Sequence, residues 1–221
     1  MIPSSAMKRP LALALAVALG GLALSARPLA AAVDRAKLEA ALEKYDGNAV
    51  RPMGREVLPV LVKMYAAGDE DRKTKVAAML YQLGWKSPEA KRLLMRDVKT
   101  PNESLRIHVQ YALGRVSDDE DVVDALLDNM QHDGNALFRD KAACSLAYDQ
   151  IHLTPRQKAR LYEGLIGALS SPELQVRQIA LQALQILTGQ TKGFLPNADP
   201  GTRGRAVVEW KRWLAEYRSS L

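Results

Sequence analysis

Val176-Arg177-Gln178-Ile179-Ala180-Leu181-Gln182-Ala183-Leu184 reads as a helix with two unlike faces. At about 100° per residue, Val176, Ala180, Ala183, Leu184 and Leu187 fall within about 60° of one direction. Gln175, Gln178, Gln182 and Gln185 fall within about 40° of the opposite one. The same stretch can be laid over Phe138-Arg139-Asp140-Lys141-Ala142-Ala143-Cys144-Ser145-Leu146, 38 residues earlier. It also fits Leu105-Arg106-Ile107-His108-Val109-Gln110-Tyr111-Ala112-Leu113, a further 33 residues back. A fainter copy begins at Lys75, 30 residues before that, and ends in Leu83-Gly84 as its successor ends in Leu113-Gly114. Repetition at this period is the mark of stacked supersecondary units, none of which buries its apolar face alone.

Each copy follows a short polar turn and a further apolar helix, at residues 55–66, 89–97, 121–130 and 155–169. Helix starts are frequent. Thr100-Pro101-Asn102-Glu103, Thr154-Pro155-Arg156-Gln157, Ser87-Pro88 and Ser171-Pro172 each set a capping hydroxyl before a proline. Proline suits the first helical position because it lacks the amide that would go unpaired there. No stretch after residue 32 alternates with period two in β-branched residues, so strands are not expected.

The repeated V-R-x-x-A-x-x-A-L pattern, preceded by an outer helix and a turn carrying Asp, Asn or Pro, resembles the HEAT-repeat family. The resemblance covers about residues 54–189. It implies an all-α chain, a right-handed α-α superhelix of about four two-helix repeats (54–86, 87–117, 118–150 and 154–189). The tail carries Gly193-Phe194-Leu195-Pro196, Asp199, Ala206-Val207 and Trp210-Lys211-Arg212-Trp213. It resembles the closing segment of bacterial HEAT-repeat proteins, so residues 190–221 are expected to cap the array. A helix at 34–45 is expected to cap the other end, since an open terminal unit would leave an apolar face in water.

The glutamine face of residues 176–184 is expected to be the exposed, concave side. The repeat alignment carries it to the other units. The lane through Gln182 runs Tyr81, Tyr111, Cys144, Gln182; the lane through Gln178 runs Ala77, Ile107, Asp140, Gln178. Tyr81, Tyr111, Ile107, Asp140, Gln178, Gln182 and Gln185 are therefore the candidate partner-binding residues. Tyrosine joins a large apolar body to a polar tip, which interfaces favour. The alternative for the two tyrosines is packing against neighbouring inner helices.

Arg106, Arg139 and Arg177 recur in register. They form either a ladder for an anionic ligand or, the reading preferred here, a set of bonds to turn carbonyls and acids of the next unit. Cys144 is the single cysteine, so no internal disulfide forms. Partial burial is expected of it. His108, His132 and His152 stand far apart and suggest neither a metal site nor a catalytic pair. Asp118-Asp119-Glu120-Asp121 lacks the spaced ligands and central glycine of a calcium loop; acids there suit the positive end of a helix. G-x-S-x-G, P-loop, H-E-x-x-H and dinucleotide motifs do not occur. No catalytic residue, cofactor or metal is expected.

Residues 1–32 hold no acid and three bases, Lys8, Arg9 and Arg27. A basic start followed by an apolar run at 11–26 reads as a secretory signal. Cleavage is expected before Val33, with Ala26 as the second choice; the alternative is an uncleaved inner-membrane anchor through residues 11–26. The chain carries 31 bases and 25 acids, and removing the signal leaves 28 against 25. The remaining surplus lies in residues 191–221.

The expected function is that of a non-catalytic scaffold or assembly factor in the cell envelope, periplasmic or secreted. It would bind another protein or a peptide along the concave inner helices, and no nucleic acid. A second expectation is peripheral contact with anionic lipid or polymer through Arg203, Arg205, Lys211, Arg212 and Arg218. A third, a HEAT-like lyase-type enzyme, rests on fold analogy alone.

Overall fold

A computed structural model describes residues 33–221, which fall within one structural unit, residues 32–221. The secretory signal expected at residues 1–32 and its alternative, an anchor through 11–26, lie outside the described residues. Every regular element described is helical: α1 (Arg35–Glu43), α2 (Gly47–Val50), α3 (Leu58–Ala67), α4 (Glu70–Leu83), α5 (Pro88–Asp97), α6 (Glu103–Val116), α7 (Glu120–His132), α8 (Ala136–Tyr148), α9 (Pro155–Ala168), α10 (Leu174–Thr188) and α11 (Pro200–Ser219). Short 3-10 turns at Arg51–Met53 and Arg55–Val57 lead into α3. Among these helices none is long and apolar enough to cross a membrane.

The helices pair as antiparallel neighbours: α3 with α4, α5 with α6, α7 with α8, α9 with α10. One layer is α4, α6, α8 and α10, each packed on the next; these are the inner helices. The other layer holds α3 against α5, then α7 against α9, and α11 continues it by packing on α9. This is an α-α solenoid. Its core runs between the layers as one continuous apolar cluster, from Leu38 and Leu42 through Leu61, Leu94, Leu126 and Leu165 to Trp210.

Local signals set the helix starts. Asp34, Asp69, Ser87, Asn102, Asn135, Thr154 and Asp199 each accept a hydrogen bond from an amide of the first turn, which satisfies one of the free donors there. Thr154 and Gln157 complete a reciprocal capping box. The acidic stretch opens α7, with Glu120 and Asp121 in its first turn.

Two expected starts are displaced. Thr100-Pro101 stays in the turn and Asn102 caps α6; Ser171-Pro172 stays in the turn and α10 begins after Glu173. In both, an arginine six residues ahead explains the shift. Arg106 donates to the Thr100 carbonyl at 3.2 Å and Arg177 to the Ser171 carbonyl at 2.8 Å. A carbonyl drawn into that bond faces the guanidinium instead of starting a helical ladder.

The tail closes the array. In α11, Ala206, Val207, Trp210 and Leu214 are buried, and Trp213 and Tyr217 pack partly covered beside them. Tyr162 of α9 meets Trp213 and Tyr217 edge-on, at ring separations of 5.1 and 5.2 Å. Phe194 is buried in the connecting loop. At the other end α1 packs on α4.

A candidate protein-binding face on the inner helices

The recurring arginines are structural. Each reaches the carbonyl six residues behind it and then a group of the following unit. Arg106 bonds Thr100 and pairs with Asp133, its guanidinium lying 4.6 Å over the Phe138 ring. Arg139 donates to the Asp133 carbonyl at 2.7 Å and to Gln175 Oε1 at 2.9 Å. Arg177 donates to Ser171 and Pro172, and onward to the Pro196 carbonyl at 3.0 Å. Arg106 and Arg177 are buried. The ladder therefore staples one turn to the next and leaves no guanidinium row for an anion.

The first unit lacks the arginine, since Val76 takes its register position. One turn earlier on α4, Lys73 reaches Asp97 at 3.0 Å, and the Tyr65 hydroxyl donates to the same carboxylate at 2.8 Å. Burial and that carboxylate hold the Tyr65 hydroxyl far above its ordinary range.

The face on the opposite side of the inner helices carries the seven candidate residues. Gln178, Gln182 and Gln185 are exposed along α10; Tyr81, Ile107, Tyr111 and Asp140 are half-buried on α4, α6 and α8. The rings of Tyr81 and Tyr111 meet at 5.9 Å, tilted by 42°. They pack on one another and still show part of each ring to solvent, so both readings of them describe the geometry. Asp140, Cys144 and Gln182 line one shallow recess between α8 and α10. Asp140 is paired with Lys141 at 2.9 Å. Burial pushes the Cys144 thiol above its ordinary pKa, which keeps it protonated and a poor nucleophile.

The structure adds residues that the alignment did not single out. One helical turn beyond Tyr111, Cys144 and Gln182 stand Arg115, Tyr148 and Ile186. The i, i+4 rule places them on the same face, so the sequence did hold the signal. Tyr148 is 58% exposed and Ile186 38%. The Arg115 guanidinium lies 4.5 Å over the Tyr81 ring and donates to Asp149 Oδ1 at 3.0 Å. Asp149 is buried at the end of α8. Desolvation raises its pKa to about 6, against the pull of Arg115 and the Tyr81 hydroxyl.

His152 ties this corner together. Its Nε2 sits 2.9 Å from both the Gly84 and the Arg115 carbonyls, so that nitrogen carries the proton. Tyr45 was not legible as a member of the face. It adopts a left-handed backbone, φ 52°, its ring stacks at 6.3 Å on His108, and it is 41% exposed.

Elsewhere, the outer layer has two open concavities of about 470 Å³. One, between α7 and α9, is lined by charges spent on one another, including Arg160 with Asp124 at 2.9 Å. The other, between α3 and α5, is lined by Leu58, Pro59, Val62 and Pro88 with Arg55, Lys63 and Lys86 at its margins. No group of three or more potential metal-ligating side chains occurs among the described residues.

The chain's residues 58–147, from α3 to the end of α8, match the family model for HEAT repeats. No curated protein matches the chain. With that match falling on helices stacked in two layers, residues 58–147 are a run of HEAT repeats within an α-α solenoid.

Proposed function

We propose that the chain is a non-catalytic scaffold or assembly factor of the cell envelope, which binds another protein or a peptide along the exposed face of its inner helices. HEAT repeats commonly serve as protein-interaction scaffolds and are typically non-catalytic. The envelope location rests on the sequence of residues 1–32 and is part of the proposal. The observation that carries the binding face is the partly solvent-exposed row Tyr81, Tyr111, Tyr148 and Ile186 on four successive inner helices. Aromatic and aliphatic groups left in water on adjacent helices form an apolar strip, and such strips mark interaction sites.

The terminal helix is the weaker surface. Of its bases, Arg212 pairs with Glu209 at 2.7 Å and Arg218 with Glu163 at 2.9 Å. Arg203 donates to the Ala198 carbonyl. That leaves Arg205 and Lys211 as the bases without an ion-pair partner on an exposed surface, too few for firm attachment at about 1 kcal/mol each.

The test is the pair Tyr81→Ser with Tyr111→Ser, read by partner capture and by the helical melting curve. Capture is expected to fall at least tenfold while the melting temperature moves by a few degrees. Loss of both together would show that the tyrosines serve only the core.

A further inference from the structure

We infer that the seam between the second and third repeats is a hinge, held shut on the outer surface by lysine–aspartate clasps, about which α1–α6 and α7–α11 turn as two bodies. In the outer layer α3 packs on α5, α7 on α9, and α9 on α11. Among the described helices, α5 and α7 are the neighbours of that layer that do not pack closely. The chemistry differs too. Where α9 meets α7, Gly164 lies so close under Leu127 that a Cβ would not fit; where α11 meets α9, Tyr162 meets Trp213 and Tyr217. Between α5 and α7 the outer links are ionic. Lys91 Nζ lies 2.8 Å from Asp119 and 2.6 Å from Asp121, and Lys99 Nζ lies 2.5 Å from Asp128. Lys86 and Asp118, at 2.5 Å, join the loops that precede the two helices.

The inner edge of the same seam is bolted. Arg106 and Arg115, near the two ends of α6, pair with Asp133 and Asp149, which flank α8. Both carboxylates are largely covered. Between them the Ser145 hydroxyl donates to the Gln110 carbonyl at 2.6 Å. In every ion pair across the seam the base belongs to the first body and the acid to the second. The covered pairs are screened little by salt, whereas the outer ones face solvent, where each is weak alone and screened readily. One edge therefore serves as the pivot and the other as the clasp.

What lies under the clasp lowers the cost of opening it. Gln110 and Asn129 are buried there. Asn129 Nδ2 donates to the Val98 carbonyl at 3.0 Å and to Gln110 Oε1 at 3.3 Å. Gln110 Nε2 and Asn129 Oδ1 have no protein partner among the described residues. Buried polar atoms without such partners disfavour the closed form, and parting α7 from α5 brings solvent to both. Tyr81 and Tyr111 stand on the first body, Tyr148 and Ile186 on the second. On the reading that this row is the binding face, the hinge sets the spacing of its two halves.

The experiment is a pulsed electron-spin distance measurement on the full chain with Cys144→Ser as background. Spin labels go on cysteines at Arg92 of α5 and Gly167 of α9, both exposed, which span the seam. The control pair is Arg92 with the exposed Ala66 of α3, within the first body. Distances are read at 0.01 M and 1 M salt, where the screening length falls from about 30 Å to about 3 Å. The spanning pair is expected to give one narrow distance at low salt and to gain a second, distinct one at high salt. Lys91→Met with Lys99→Met is expected to show that second distance already at low salt, with unchanged helical content. The control pair is expected to stay narrow throughout. A spanning distance that is the same at both salt concentrations would overturn the hinge, and so would equal broadening of the control pair, which would mean that α5 loosens on its own. No binding partner enters the measurement, so a rigid seam would leave the binding face standing.

Discussion

Asp149→Asn should abolish a pH dependence that the buried carboxylate imposes on the fold. In the native chain burial lifts this pKa from 3.8 to about 6, whereas in the unfolded chain it returns to its ordinary value. The folded state therefore holds the proton more tightly, and the stabilisation from that proton is full below the unfolded pKa and lost as pH rises through about 6. A shift of just over two units is worth about 3 kcal/mol in full, and between pH 7 and pH 4.5 the linkage integral gives roughly 2 kcal/mol of it. Other carboxylates work in the opposite direction. Asp118, Asp119 and Asp128 are held low chiefly by Lys86, Lys91 and Lys99, so their contribution is lost as pH falls.

The comparison that isolates Asp149 is the difference between wild type and Asp149→Asn, measured by urea denaturation at both pH values. Asparagine keeps the size and can still accept from Arg115, and whatever it costs is the same at both. Wild type should gain roughly 2 kcal/mol on the variant in going from pH 7 to pH 4.5. A difference that stays constant across that interval, or moves the other way, would refute the desolvated carboxylate.

Three further outcomes follow from packing. Gly114→Ala would place a Cβ 2.7 Å from the Asp149 carbonyl oxygen, a backbone atom with little room to move, and should cost about 1–3 kcal/mol, read as a lowered melting temperature. Trp210→Ala should cost about 3–5 kcal/mol because this side chain of α11 is wholly buried in the core, while the exposed Val208→Ala stays within about 0.5 kcal/mol. Arg177→Met would strand the Ser171, Pro172 and Pro196 carbonyls. A loss of about 2–3 kcal/mol in chemical denaturation is expected, with α11 the first helix to lose protection in hydrogen exchange.

The order of helices and their repetition were legible because the same positions do the same work in each unit. Val176, Ala180, Ala183 and Leu184 face the core, and their counterparts in α6 and α8 do likewise. The structural role of Arg106, Arg139 and Arg177 was readable from their register. The turns were harder. Thr100 and Ser171 have the sequence of helix caps, yet the guanidinium six residues on, held in place by its bonds to the following unit, competes for their carbonyls. For the binding face, helical spacing already put Tyr81, Tyr111 and the glutamines on one side of their helices. Arg115, Tyr148 and Ile186 needed one more turn of the same rule. Tyr45 could not be found this way, because a left-handed residue after a helix has no periodicity to betray its side chain. Nor could Asp149, whose burial depends on residues 34 and 68 positions earlier, Arg115 and Tyr81, closing over it.

The central claim is that the partner lies along the inner helices. The direct measurement is photo-crosslinking in the native host from a reactive residue placed at Gln182, at Tyr111 and, as controls, at Lys63 in the outer groove and at Arg212 on α11. The account predicts that Gln182 and Tyr111 capture one and the same protein and that neither control does. Capture from Lys63 or Arg212 alone would contradict it and move the function to the outer layer or to the terminal helix.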